Sequence, residues 1–317
     1  MGLVRMHNQN AIHFVTNRCF QERLFMLPSK TLNEIIGYWF ARAYDRYGQG
    51  LEIFAFIFLS NHFHLLVRDN SGNLARFMGY FQGNVAKAIN EYLERKGDFW
   101  AREYDDVLVD DQSDRDFIDR YVYVICSSVK AGLTDRAEDW AGWSSLQAAL
   151  TGQNFSFTGV NRTKKHNLSR RNKNIDPSKY TETYEFELSI PPMYAHMSVD
   201  ERAQQIQDLI KVGESVFREK RGNVPALGID AIEKQKWSDR PMNSSFGPRI
   251  KIFASDPCRR EALLDSYRNF VGIYREIYGG FRNATKNGKR PSIQWPAWSF
   301  PPSTSIPVYP EAVAHAA

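Results

Sequence analysis

Two short stretches hold residues whose types and spacing can do chemistry. The first is His62-Phe63-His64. In a strand, residues i and i+2 project from one face, so both imidazoles reach one point while Phe63 turns to the opposite side. Two neighbouring imidazoles suit a divalent metal. The second is Tyr123, inside the run Arg120 to Ser128. A helical tyrosine is as a rule an amphipathic core or rim residue. Its phenolate can nevertheless attack phosphorus and form a covalent intermediate. Ser127 lies one turn further on, on the same helical face, where it can add a ligand or a hydrogen bond.

These side chains act together only if the surrounding elements bring them together. Asn10–Arg18 reads as a strand. Leu32, Ile35, Ile36, Trp39, Phe40 and Ala43 recur at helical spacing after Pro28-Ser29 and before Gly48. Leu51–Leu59 and His62–Arg68 form a predicted hairpin across Ser60-Asn61. Ala75 to Leu93 predicts a second helix, Glu103–Asp110 a fourth strand, and Ser113–Lys130 a third helix with Ser113 as N-cap and Gly132 just past its end. The order strand, helix, strand, strand, helix, strand matches the split βαβ, ferredoxin-like arrangement. The expected class is therefore α+β: an antiparallel sheet with helices on one face, then the tyrosine helix, then a mainly helical C-terminal region.

The motifs in this order resemble a family. Phe58-Leu59-Ser60-Asn61-His62-Phe63-His64-Leu65-Leu66-Val67 resembles the H-hydrophobic-H box of HUH single-tyrosine transposases. Gly97-Asp98-Phe99-Trp100-Ala101-Arg102, followed by Val107-Leu108-Val109, resembles the stretch before their tyrosine helix. Tyr123-Val124-Ile125-Cys126-Ser127-Ser128-Val129-Lys130-Ala131-Gly132-Leu133 is similar to the "Y-I-x-x-N-P-V-x-A-G-L" signature of the REP-associated tyrosine (IS200-like) transposases. Trp140-Ala141-Gly142-Trp143-Ser144-Ser145 is similar to the "W-x-W-S-S" ending. Pro296-Ala297-Trp298-Ser299-Phe300-Pro301-Pro302 resembles the closing motif of long forms, and the basic helix around Ala262–Tyr278 resembles the one before it.

The resemblance implies roles. His62 and His64 are metal ligands for magnesium or manganese, and Tyr123, rather than Tyr121, is the nucleophile. Ser127 stands where the family places an amide that completes the metal site. A hydroxyl is a poorer neutral ligand for a hard cation than an amide carbonyl, so this departure weakens the site or removes the chemistry. The implied reaction cleaves and rejoins single-stranded or hairpin DNA through a 5′-phosphotyrosine. Two alternatives stand beside it: a domesticated DNA-binding protein of the same fold, and an HUH nuclease of the replication-initiator or relaxase type. Phe77, Tyr80, Phe81, Tyr92, Phe99, Trp100 and Tyr104 are either base-stacking platforms or core.

Composition sets the frame. The 317 residues suggest about two domains. The mean hydropathy is −0.48, and no run approaches the ~20 apolar residues of a membrane helix. The first ten residues lack a secretory pattern. Three dispersed cysteines make neither a disulfide framework nor a zinc cluster. A cytoplasmic, nucleoid-associated protein is expected, as a monomer or homodimer.

The net charge of +5 is uneven: residues 1–150 hold 16 Lys+Arg and 19 Asp+Glu, whereas 151–317 hold 25 and 17. We place a catalytic domain at 1–150, a solvated basic linker at 151–180, and a helical basic region at 181–317 with an irregular Pro-rich tail. Arg162, Lys164, Lys165, Arg170 and Arg171 of the linker, with Arg18 at the end of the first strand, are candidate DNA contacts. Further on, Ser198 to Glu201 is a capping box opening a helix to Arg221. A short helical pattern over Gly228–Lys236 follows, so the two are either an ordinary pair or a helix-turn-helix reader. A basic helix begins at Asp256-Pro257 and is expected to stop at Gly279-Gly280. This half is expected to grip duplex DNA through phosphates.

Overall fold

The computed structural model describes residues 4–6, 10–170, 175–241 and 250–288. Strand β1 (Ala11–Arg18), helix α1 (Lys30–Tyr47), the hairpin β2 (Leu51–Phe58) and β3 (His62–Asp69), helix α2 (Leu74–Tyr92) and strand β4 (Asp105–Val109) follow in the expected order. Helices α3 (Asp114–Ile125), α4 (Ser127–Lys130) and α5 (Leu146–Thr151) come next. Beyond them lie β5 (Phe155–Val160), α6 (Arg162–Ser169), β6 (Thr181–Phe186), α7 (Val199–Arg221), α8 (Ile229–Glu233), β7 (Ile252–Phe253) and α9 (Pro257–Lys286).

The main sheet runs β2-β3-β1-β4-β7. Its first four strands pair antiparallel, as the split βαβ order requires. β7, from the C-terminal region, adds a short parallel edge on β4.

Local signals start the helices where the sequence places them. The Ser29 hydroxyl accepts from Leu32 N–H, Ser113 from Asp116 N–H, and Ser198 with Glu201 closes a reciprocal capping box. Each occupies donors that the first turn leaves without intrahelical partners. A bulge between Ile53 and Ala55 of β2 shifts the alternation by one. Ile53 and Phe56 thereby both join the core under α1 and α2, while Phe54, Ala55 and Ile57 join the opposite one.

Both faces of the sheet are covered. On one face, α1 and α2 pack over Val15, Phe63, Leu65 and Val67, with Phe40 amid Phe56, Phe58, Phe77, Phe81, Trp143 and Phe186. On the other, α3, α4, α5 and α7 cover Phe14, Ile57, Leu59 and Leu66. The expectation of helices on one face thus describes α1 and α2. The tyrosine helix and the C-terminal α7 supply the second layer, because β1 and β3 carry apolar side chains on both sides.

Several readings are corrected. Residues 151–160 are not solvated linker: β5 pairs with β6, and Phe155, Phe157, Tyr184 and Phe186 pack against the α1 core, while α6 buries no residue. Alternation along these strands (aromatics inward, Ser, Thr and Glu outward) decides this, and the charge of Arg162 to Arg170 masks it. The boundary at 150 consequently cuts a core. The predicted helix over 113–130 is divided at Cys126 into α3 and α4. α8 has five residues and buries Ile232, so α7 and α8 are an ordinary helical pair and not a helix-turn-helix reader. α9 runs through Gly279-Gly280 to Lys286, since glycine lowers helix stability by about 1 kcal/mol without forbidding it. The Pro-rich tail with its Pro296–Pro302 motif lies outside the described residues.

The segment Trp140 to Ser145 closes the free edge of β2. Trp140 Nε1 donates to the Phe58 carbonyl at 3.0 Å, and Ser145 Oγ accepts from Phe56 N–H at 2.9 Å. An open edge strand would template pairing with other chains; here it is capped by the chain itself.

Candidate active site

The site lies on the sheet face covered by α3. Register places Arg18 of β1 directly across from His62 of β3, and Thr16 across from His64. The two imidazoles are neighbours, with ring centroids 4.9 Å apart, and Phe63 turns into the opposite core as strand alternation demands. From α3, Tyr123 brings its ring to within 5.3 Å of His64, edge to face. Phe14 of β1 stacks on His64 at 5.2 Å and meets Tyr123 edge-on at 5.5 Å, so it forms the floor between them.

Tyr121 goes elsewhere. It is 2% exposed, parallel to Phe117 at 6.1 Å, and burial pushes its phenol up. Positions 121 and 123 are about 200° apart around a helix. One is therefore in the core when the other faces the histidines.

The imidazoles are held neutral. Burial first, then the charges of Arg18 and Lys130, pull His62 down to about 3. His64, 6% exposed, is also lowered well below its ordinary value, by burial and then by His62, Lys130, Arg18 and Arg120. His62 Nδ1 lies 2.7 Å from Asn61 Oδ1. An amide oxygen only accepts, so Nδ1 carries the hydrogen and Nε2 keeps its lone pair. Nδ1 of His64 is buried with no hydrogen-bond partner. Two neutral rings and an unpartnered buried nitrogen fit a divalent cation. Among the described residues, no group of three His, Cys, Asp or Glu is arranged to hold one.

Ser127 is engaged within its own helix. Its hydroxyl donates to the Tyr123 carbonyl at 2.6 Å, the back-bond that serine makes to residue i−4 in a helix. It therefore fixes the backbone under Tyr123.

Arg120 and Lys130 are functional candidates that the motif reading did not single out. The Arg120 guanidinium lies 4.9 Å from the Tyr123 ring centroid, also over Phe253 of β7 at 3.8 Å. Lys130 Nζ lies 5.0 Å from the same ring. Both share the Tyr123 face at i−3 and i+7, a spacing legible in the sequence. Asn61 is the third; its position beside His62 was its only signal.

The DNA-contact candidates fall in two places. Arg18 sits at the site, bonded to Glu22 at 2.9 Å. Arg162, Lys164, Lys165 and Arg170 lie on or beside α6, on the other side of the sheet. Arg162 pairs with Glu91, Lys164 with Glu182, and Lys165 approaches the Tyr180 ring at 5.5 Å. Arg171 lies outside the described residues. Of the aromatic candidates, Phe77, Phe81, Phe99 and Tyr104 are core, Trp100 donates to the Gln82 carbonyl, Tyr80 is half-buried and Tyr92 exposed. On α9, Arg259 is taken up by Asp110 and Asp111.

A split-βαβ sheet presenting a histidine pair to a tyrosine on the following helix defines the class. Residues 8–123 match the family described as "Transposase IS200 like". The match ends on Tyr123, so the C-terminal half lies beyond it. No curated protein matches the chain. Among solved structures, a REP-associated tyrosine transposase bound to a REP hairpin is similar at TM-score 0.41 and 14% identity, over 47% of this chain and 85% of that one. A protein of Deinococcus radiodurans R1, provisionally named a transposase, is similar at TM-score 0.26 and 15% identity, over 38% of this chain and 95% of that one. Among the described residues, no helix is long and apolar enough to cross a membrane.

Proposed function

We propose that this protein is a DNA strand-transfer enzyme of the single-tyrosine type, acting on single-stranded or hairpin DNA. The observation that carries the reading is the approach of Tyr123 to His64, 5.3 Å between ring centroids, on the face that also holds His62. His62 and His64 would hold magnesium or manganese, which supplies charge to offset that on a phosphoryl oxygen. Tyr123 Oη attacks phosphorus and the 3′-oxygen leaves. The products are a 5′-phosphotyrosine and a free 3′-hydroxyl, and attack by a 3′-hydroxyl reverses the step without ATP. Arg18, Arg120 and Lys130 surround this point with positive charge suited to a phosphodiester. Residues 1–150 carry this chemistry, and the basic region from 181 onward holds flanking duplex through phosphates.

The test is a covalent protein–DNA adduct on a denaturing gel, with labelled single-stranded hairpin DNA and manganese. Wild type and Tyr121→Phe should form it; Tyr123→Phe and His62→Ala/His64→Ala should not. An adduct that persists in Tyr123→Phe refutes the assignment.

A second reading, a DNA-binding protein with weakened chemistry, is favoured by one observation: the Ser127 hydroxyl is bonded to its own helix. On that reading wild type binds the hairpin without an adduct, and Ser127→Asn restores the adduct.

A further inference from the structure

On the face opposite the histidines, α1 and α2 run side by side under α6. A cleft of about 310 Å³ opens there, lined by Trp39, Arg42, Arg46, Tyr80, Asn84, Lys87, Ala88, Arg162 and Thr163. Its two walls are helical stripes: 39, 42 and 46 on α1, and 80, 84 and 87 on α2, each at spacings that put residues on one face. No acidic residue lines it. Two carboxylates stand nearby, Glu91 against Arg162 and Glu182 against Lys164 and Arg42. Five cations thus meet two anions.

The cations are held by rings. The Arg42 guanidinium lies 5.2 Å from the Trp39 ring centroid and 5.6 Å from that of Tyr184. The Arg46 guanidinium lies 5.4 Å from Tyr47 and 5.2 Å from Tyr80. Stacking on an aromatic face steadies a guanidinium without using its N–H donors. Arg42 gives one donor to Tyr38 Oη at 3.2 Å within α1, and its ion pair with Glu182 at 3.8 Å ties α1 to the β5–β6 hairpin. Arg46 and Lys87 are exposed and enter no ion pair among the described residues. A cleft with pre-oriented guanidinium donors, a lysine, an asparagine and aromatic edges has the chemistry to take a phosphate with an attached planar base.

We propose that this cleft is a second anion site that binds a nucleotide phosphate, remote from the cutting site on the other side of the sheet. The ligand is a nucleotide unit, either free or within a DNA strand. Membership of a strand rests on the proposed DNA-processing function; the cleft itself does not. With a strand as ligand, the site would hold DNA in place while the opposite face cuts.

The experiment measures binding of a labelled ten-nucleotide single strand by fluorescence anisotropy across a salt series. It uses the full chain, Arg46→Gln/Lys87→Gln and Arg46→Lys/Lys87→Arg. The glutamine pair should bind about tenfold more weakly and lower the salt slope by about 1.4, two phosphate contacts' worth for a single strand. The charge-retaining pair should stay near wild type. Thermal unfolding of each variant controls for folding. Displacement by dATP identifies a free-nucleotide site; displacement by unlabelled oligonucleotide alone identifies a strand site. Unchanged affinity and slope in the glutamine pair, or no binding of either ligand by wild type, overturns the proposal. An adduct assay on wild type run in parallel separates the two claims: absence of the adduct from wild type with retained cleft binding refutes the cutting reading and leaves this one standing.

Discussion

Acid should destabilise the metal-free protein through its own histidine pair. Burial, then Arg18 and Lys130, hold His62 at about 3 in the folded chain, whereas an unfolded imidazole titrates near 6.5. Below pH 6.5 the unfolded chain therefore binds a proton that the folded one refuses. Stability falls as the pH drops from 6.5 towards 3, and is fully present above that window. At pH 5 the difference is 1.5 pH units, or about 2 kcal/mol at 1.36 kcal/mol per unit. The ring is only partly buried, so solvent screening makes this an upper value. His64 is lowered as well and adds in the same direction. The assay is urea unfolding at pH 7 and pH 5, in chelator, of wild type and His62→Gln. The variant should lose up to about 2 kcal/mol less than wild type between the two pH values, and His62→Gln/His64→Gln less again. Equal losses in wild type and both variants, or an imidazole resonance titrating near 6.5 in the folded protein, would show that the pair is not held neutral and would refute the reasoning.

Other outcomes follow from packing. Trp143→Ala removes a ring that touches Phe40, Phe56 and Phe58 and should cost about 3–5 kcal/mol by urea unfolding, whatever its effect on DNA. Phe186→Ala should cost a similar amount, and a fragment ending at residue 150 should be insoluble or protease-sensitive, because Phe155 and Phe186 complete the core under α1. Gly213→Ala should destabilise by about 1–3 kcal/mol and reduce adduct formation, since its Cβ would come 2.3 Å from Val122 Cγ1, next to Tyr123. Ser198→Ala removes the capping box of α7 and should cost about 1 kcal/mol with adduct formation retained.

The helix starts at Ser29, Ser113 and Ser198, the hairpin over 51–69 and the six-element order were legible from residue type and spacing alone, because caps and periodicity are local. So was the common face of His62 and His64, fixed by the two-residue repeat of a strand. Tyr123 over Tyr121 came from a signature count; the structure adds the reason, since one helical position faces the histidines and the other fills the core. What sequence could not settle depends on partners distant in the chain. The run from Arg162 to Arg170 hides a hairpin whose aromatic side chains find their neighbours on α1, more than a hundred positions earlier. The second layer over the sheet needs α7, and the fifth strand needs Ile252, neither marked by any local pattern that points to its place. The charge around the histidines is in part a tertiary product: Arg120 and Lys130 flank Tyr123 in sequence, but Arg18 lies about a hundred positions earlier, and only sheet register and helix packing bring it to the same point. Local rules chose the chemical groups; burial of apolar surface decided which of them meet.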